Sequence, residues 1–363
     1  MTILVTHCRQ VNVAKVCRFR QHFRQSVDFM SCNSLKLSSS NMSKRKVFVT
    51  RPDVPAAGLN MLKERFDVST WSEERPVPRE ELVKQVQGKD ALFCMLTDKI
   101  DKELLDNAGK HLKVIGTMSV GYDHIDVAEV RSRGIRIGYT PDVLTDAVAE
   151  LTIALLLATS RRLFEGHQQI LDGKWSAWAP TWMCGVELKH STVGIVGFGR
   201  IGQGVARRLN GFSVNRILYS GRYEKPEGKE IGATHVSFDD LVSESDFIIV
   251  TCALTPETKE MFNDAVFAKM KQNVIFINTS RGGVVDQPAL QRALENRTIL
   301  AAGLDVTTPE PLPPTHPLLQ LKNCVIVPHI GSATTWTRGE MCILTARNII
   351  AALDDKPMPA EVL

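Results

Sequence analysis

Residues 192–209, TVGIVGFGRIGQGVARRL, constrain the fold of this chain more than any other stretch. A short apolar run, TVGIV, ends in Gly197-x-Gly199-x-x-Gly202, and a helical pattern follows at once. Three glycines at this spacing are weak evidence alone, but between a strand and a helix they specify a tight turn. Gly197 permits the turn, Gly199 admits close approach to the backbone, and Gly202 lets the helix pack on the strand. Free N–H groups at such a helix start, together with the helix dipole, favour negative charge, so a pyrophosphate fits there. A tight turn that binds nothing is the plain alternative.

In a dinucleotide-binding unit of this kind, an acidic residue about twenty positions on closes the next strand and accepts from the ribose hydroxyls. Here that strand, in ILYSGRYEK, closes on Ser220, with Arg222 and Lys225 just after it. A neutral serine does not repel a ribose 2′-phosphate. Arginine meets phosphate with a planar fork of donors, and lysine adds a mobile point charge. The stretch reads as a selector for NADPH, with NADH the weaker cofactor. A solvated basic loop, with Glu224 cancelling part of the charge, is the competing reading.

Around this turn the chain alternates between strand and helix patterns. KVFVTRP, ALFCMLTD, LKVIGTMSVG and IRIGYTP read as strands in the first half; RILYSG, THVSF, FIIVTC, VIFINTS, ILAAGLDV and CVIVPHI continue the series after the turn. Such alternation predicts parallel sheets with helices on both faces. The stretch DVLTDAVAELTIALLLATSRRL, residues 142–163, predicts one long helix. Thr145 can cap it, Asp146 and Glu150 lie early and Arg161 and Arg162 late, as the dipole favours. It is long enough to link two domains, the number suggested by 363 residues.

Composition excludes little beyond extremes. The chain is 44% hydrophobic and 23% charged, enough to bury a core, and its net charge of +4 is too small to argue for nucleic acid. No run reaches the roughly 18 apolar residues of a membrane span. Eight cysteines (Cys8, Cys17, Cys32, Cys94, Cys184, Cys252, Cys324 and Cys342) form no C-x-x-C pair, which argues against zinc or a disulfide framework and for reduced thiols. No metal site is expected. Residues 1–43 are basic, poor in acid and rich in serine, the composition of a transit peptide. The alternative is that Met42 is the working start. The expected location is cytoplasmic, or mitochondrial if residues 1–43 act as a targeting segment; the final AEVL is not a peroxisomal signal.

Three downstream stretches carry polar residues suited to chemistry: Arg281 in INTSRGGVVDQPAL, Asp305 and Glu310 in AAGLDVTTPEPLP, and His329 in VIVPHIGSAT. Each follows a buried strand, and in a parallel α/β sheet ligands bind beyond the carboxyl ends of strands. Arginine grips a carboxylate in a bidentate way. Histidine gives and takes a proton near neutrality, and a carboxylate beside an imidazole favours the protonated ring. Arg281, Glu310 and His329 are therefore the expected catalytic set for a 2-keto acid, with nicotinamide supplying hydride. Taken singly, each could be a surface or structural residue.

The stretches GFGRIG, NTSRGGVVD, GLDVTTPEP and PHIGSAT resemble the D-isomer-specific 2-hydroxyacid dehydrogenases from about Lys44 to the C-terminus. The order Arg, Glu, His matches that family's catalytic set. The wording GLDVTTPEPLPPTHPLL, with WSAWAPTWMCG at 175–185, is similar to members that reduce glyoxylate and hydroxypyruvate. The resemblance implies that MSVGYDH holds the substrate carboxylate through Val120 and Gly121, with Ser332 beside the substrate. It also implies that Arg200 and Ile201 meet the pyrophosphate with Gly199, that Ala253 and Thr279 meet the cofactor through backbone atoms, that Asp305 meets the nicotinamide amide, and that Gly331 also binds the cofactor. Trp178 resembles a tryptophan that reaches into the partner subunit's site; an ordinary core aromatic is the other reading. The implied architecture is a Rossmann-type dinucleotide-binding domain, 143–330, inserted into a flavodoxin-like substrate domain, 44–142 plus 331–363, in a homodimer. The alternatives are another D-2-hydroxyacid dehydrogenase, acting on phosphoglycerate, lactate or a bulkier keto acid, and a dinucleotide-sensing corepressor. The long form of phosphoglycerate dehydrogenase is disfavoured, since no long C-terminal regulatory domain follows residue 363.

Overall fold

The computed structural model describes residues 44–363, so the expectations for 1–43, including Cys8, Cys17, Cys32 and Met42, lie outside the described residues. Two parallel sheets follow each other along the chain. The first contains β1 (Lys46–Val49), β2 (Asp67–Thr70), β3 (Ala91–Cys94), β4 (Val114–Thr117) and β5 (Arg136–Gly138) in the order β2-β1-β3-β4-β5. The second contains β6 (Thr192–Val196), β7 (Arg216–Ser220), β8 (Ala233–His235), β9 (Phe247–Val250), β10 (Ile275–Asn278), β11 (Ala301–Leu304) and β12 (Cys324–Ile326), ordered β12-β11-β10-β9-β6-β7-β8. The first order is flavodoxin-like, and the second is the Rossmann order with one further strand. In each sheet the order reverses beside its first strand, β1 or β6, and ligand crevices form at such reversals.

The alternation of side chains explains why both faces are covered. Val47 and Val49 enter one apolar cluster and Phe48 the opposite one. Phe247 and Ile249 likewise face away from Ile248 and Val250. Strands buried on both faces read as continuous apolar runs, which is why they were visible in the sequence. The strand Asp67–Thr70 was not, because it is a polar, half-buried edge strand with no such run.

The long helix differs from its expected span. It runs over Thr145–Ser160 only, Leu144 is its N-cap, and no side chain caps it, so Thr145 does not play that part. Arg162 is left-handed, at φ 54, and a separate helix covers Leu163–Leu171. The break has a tertiary cause. The Ser160 carbonyl, which a continuing helix would use, accepts instead from Val186 N–H at 2.9 Å as the chain returns.

The last helix, Thr335–Leu353, packs on the first sheet. Asn348 ties it there: its Nδ2 donates to the Tyr139 carbonyl and its Oδ1 accepts from Ala360 N–H, each at 2.9 Å. Arg136 pairs with Glu361 at 2.6 Å and fixes the final residues beside β5. No helix among the described residues is long and apolar enough to cross a membrane, and none of their His, Cys, Asp and Glu residues cluster as a metal site. Cys94, Cys184, Cys252, Cys324 and Cys342 are free thiols.

Candidate active site

The carboxyl ends of strands from both sheets enclose a cleft of about 340 Å³. The segment after β4 supplies Val120 and Gly121; that after β10 supplies Thr279 and Arg281; those after β11 and β12 supply Asp305, His329 and Ser332. Ile201, Arg222 and Ala253 complete the expected residues that line it.

His329 is held in the left-handed region at φ 51, a conformation that costs energy in a residue bearing a Cβ. Its N–H donates to the Asp305 carbonyl at 2.9 Å. The buried Asp305 carboxylate accepts from the next two amides, Ile330 at 2.7 Å and Gly331 at 2.9 Å. Asp305 thus anchors the turn that presents His329. Burial raises its carboxyl above the ordinary range, although these amides and His329 oppose the shift.

The His329 ring pairs with Glu310 through Nδ1 and Oε2, 2.8 Å apart. An ionised carboxylate only accepts, so Nδ1–H donates, and Nε2 is left without a hydrogen-bond partner among the described residues. Glu310 Oε1 accepts from Thr307 N–H at 3.0 Å, which fixes the carboxylate. Burial pushes the Glu310 carboxyl up, but the His329 contact, the Thr307 amide and the charge of Arg281 outweigh it and hold it below the usual range. Gln287 clamps the same loop, accepting from Thr308 N–H at 2.9 Å and donating to the Thr308 carbonyl at 2.7 Å.

Arg281 crosses from the second sheet to the first. Its Nε donates to Asp123 Oδ1 at 2.9 Å and its Nη1 to the Ser280 carbonyl at 2.8 Å. A Cβ placed on Gly121 would lie 1.8 Å from Arg281 Nη2, so glycine is what allows the guanidinium to rest against this loop. Asp123 belongs to no expected set. Only its place two residues after Gly121 could have suggested it.

The glycine turn fits a dinucleotide. Gly197 has φ +91, and a Cβ there would stand 2.5 Å from Cys252 N. Gly202 passes so near the Gly197 carbonyl that a Cβ would be 2.4 Å from it. Among the described residues nothing lies within 4 Å of a Cβ built on Gly199, and no side chain caps the helix Arg200–Leu209 that begins there. Open space above uncapped helical amides is the cradle an anion needs. Ser220 ends β7, its carbonyl accepting from Gly197 N–H at 2.9 Å.

Not every expected residue converges. Lys225 Nζ lies over the Tyr223 ring, 4.5 Å from its centroid, rather than in the cleft. Arg200 pairs with Asp142 at 2.5 Å. The Thr279 hydroxyl turns inward to Thr152, at 2.9 Å, although the residue borders the cleft. Trp178 is 83% exposed and outside the cleft lining, so it is not a core aromatic.

Residues 153–331 match the family described as "D-isomer specific 2-hydroxyacid dehydrogenase, NAD binding domain". The chain is 54% identical to the glyoxylate reductase/hydroxypyruvate reductase of Mus musculus over 320 residues, 87% of this chain and 97% of the relative. It is 48% identical to the glyoxylate reductase of Thermococcus kodakarensis over 322 residues, covering 87% and 96% of the two chains. The crystal structure of an NADPH-dependent glyoxylate/hydroxypyruvate reductase from Sinorhizobium meliloti, in complex with NADP and malonate, superposes with a TM-score of 0.78. Its identity is 31%, and the match covers 88% of this chain and 97% of that one. The chain therefore belongs to the D-isomer specific 2-hydroxyacid dehydrogenases and is an oxidoreductase with a dinucleotide-binding domain of that family.

Proposed function

We propose that this enzyme reduces glyoxylate to glycolate and hydroxypyruvate to D-glycerate with NADPH. The observation that carries the reading is the pairing of His329 with Glu310 at 2.8 Å, facing the cleft that Arg281 and the Val120–Gly121 loop share. The activities named for the mouse relative and the Sinorhizobium structure support the substrate class.

When bound, reduced nicotinamide supplies a hydride to the carbonyl carbon. Arg281 grips the substrate carboxylate with the edge that its protein contacts leave open, and the backbone of Val120 and Gly121 shares that charge. His329 Nε2 gives a proton to the carbonyl oxygen, which becomes the hydroxyl of the product. Glu310 keeps the ring oriented and supports the positive charge it carries until the proton is given, after which a proton from solvent restores it. Ser332 borders the substrate.

The turn Gly197–Gly202, with Arg200 and Ile201, holds the pyrophosphate. Ser220 and Arg222 favour the 2′-phosphate of NADPH, and Lys225 assists by its charge. Ala253, Thr279 and Gly331 border the cofactor through backbone atoms. Asp305 accepts from the nicotinamide amide with lone pairs that its two backbone contacts leave free. On this reading residues 143–330 form the dinucleotide-binding domain, and 44–142 with 331–363 the substrate domain.

We also propose a homodimer. Leu163, Phe164, Ile170, Leu171 and Trp175 are all more than half exposed on one continuous segment. Apolar surface of that kind marks an interface, and Trp178 beyond it would reach the partner's cleft.

A turnover assay with NADPH and NADH against glyoxylate, hydroxypyruvate and pyruvate tests the function. The expected result is the highest kcat/KM for the first two with NADPH. Tight NADPH binding without turnover of any keto acid would replace the enzyme reading with a binding module. The same preparation should sediment as a dimer.

A further inference from the structure

Asp123 and Arg281 lie 158 residues apart in the chain, one after β4 and the other after β10, and they meet across the cleft. Arg281 has two of its three guanidinium nitrogens committed to the protein, Nε to Asp123 Oδ1 at 2.9 Å and Nη1 to the Ser280 carbonyl at 2.8 Å. The third, Nη2, rests against Gly121. The two side chains are 21% and 31% exposed, so their attraction is less screened than that of an open surface pair. Without such a tether, a long arginine side chain would lose rotamer entropy each time it met a ligand.

The loop that carries Asp123 is itself fixed. Ser119 Oγ donates to the Gly121 carbonyl at 2.7 Å and lies 2.7 Å from Thr117 Oγ1, which in turn lies 3.1 Å from His124 Nε2. The anchor for Arg281 is therefore a hydrogen-bonded turn rather than a free carboxylate.

We infer that Asp123 is the positioning residue of the carboxylate subsite. By holding Nε, it turns the Nη2 edge of Arg281 toward the Val120–Gly121 backbone, so the arginine is oriented before the keto acid arrives. The same pair ties the two sheets together where the substrate binds. This inference rests on the keto-acid reading of the cleft.

The test compares Asp123→Ala, Asp123→Asn, Arg281→Ala and the Asp123→Ala/Arg281→Ala double variant in the full chain. Glyoxylate kinetics, oxamate binding by calorimetry and NADPH binding by fluorescence are measured for each. Asp123→Ala should raise KM and the oxamate Kd about tenfold while kcat falls by less than about threefold, the pattern of lost uniform binding. NADPH affinity should not move. Asp123→Asn keeps an oxygen acceptor for Nε–H and should recover most of the loss. In the Arg281→Ala background, removing Asp123 should change KM by less than about twofold, because coupled residues are not additive.

A KM within about twofold of the wild type in Asp123→Ala would overturn the inference, as would a kcat that falls as far as kcat/KM. So would independent effects in the double variant, or a wild-type protein that does not bind oxamate. If the wild type bound oxamate yet reduced no keto acid, the proposed function would fail, while the Kd comparison would still decide the role of Asp123.

Discussion

The turns after β1 and after β6 occupy equivalent places in their sheets. Each leads from the first strand, beside the reversal of strand order, into a helix of 10 residues. Their chemistry is opposite. After β6 the backbone is glycine-rich, uncapped and open above Gly199. After β1 the chain reads Thr50-Arg51-Pro52-Asp53-Val54-Pro55, and its two prolines carry no N–H to offer an anion. The Thr50 hydroxyl is spent on the buried Asp98, at 2.6 Å, and Arg51 is paired with Asp53. One architecture appears twice, and among the described residues only the second copy has an open, glycine-rich turn. Function therefore lies in the turn residues rather than in the fold.

The cleft shows the same inequality. The second sheet contributes Arg281 and His329, whose ring Glu310 holds, and the first contributes the loop that carries Asp123. If chemistry belongs to the second sheet, His329→Gln should lower kcat by roughly 10²- to 10⁴-fold, the usual worth of a positioned acid. NADPH affinity should stay near wild type, since the glycine turn is untouched. Steady-state kinetics with a fluorescence titration would check both, and near-normal turnover would place proton transfer elsewhere.

The first sheet should instead reveal itself in acid stability. Burial holds the His124 pKa at about 4, against an ordinary value of 6.5; Arg281 adds to the depression and Asp123 opposes it. Its Nδ1 is shut off from solvent and has no hydrogen-bond partner among the described residues. The unfolded chain binds this proton more readily, so the contribution is complete above pH 6.5. It falls as the pH drops from 6.5 toward 4, by up to about 3 kcal/mol. His124→Asn should flatten that acid limb in urea midpoints taken at several pH values across the window. An unchanged slope would mean that the ring is not held neutral.

The smallest effect concerns selection between cofactors. Ser220→Asp with Arg222→Ala should shift the NADPH/NADH ratio of kcat/KM toward NADH by about tenfold or more, the worth of one charge-assisted phosphate contact. A ratio that stayed put would remove Arg222 from the account.

Much of this was legible because buried parallel strands are apolar runs. Those runs show where the strands end, and so where Arg281, Asp305 and His329 must emerge. What escaped reading depended on distant partners. The helix break at Arg162 follows from Val186 taking the Ser160 carbonyl. Lys225 is turned onto Tyr223, and Trp178 stands in solvent although its composition suited a core equally well. Asp123 looks like any loop acid until Arg281 is seen beside it.

The sequence by itself determined the two sheets, the glycine turn and the residue types available at each strand end, because these are local patterns of period, size and charge. Only the tertiary structure decided which donors are free and which are spent. Arg281 keeps Nη2 because Asp123 and Ser280 take its other nitrogens, and His329 keeps Nε2 because Glu310 takes Nδ1. The physical reason is that a hydrogen-bonding group has few positions to give. How they are shared depends on distances of about 3 Å between residues far apart in the chain.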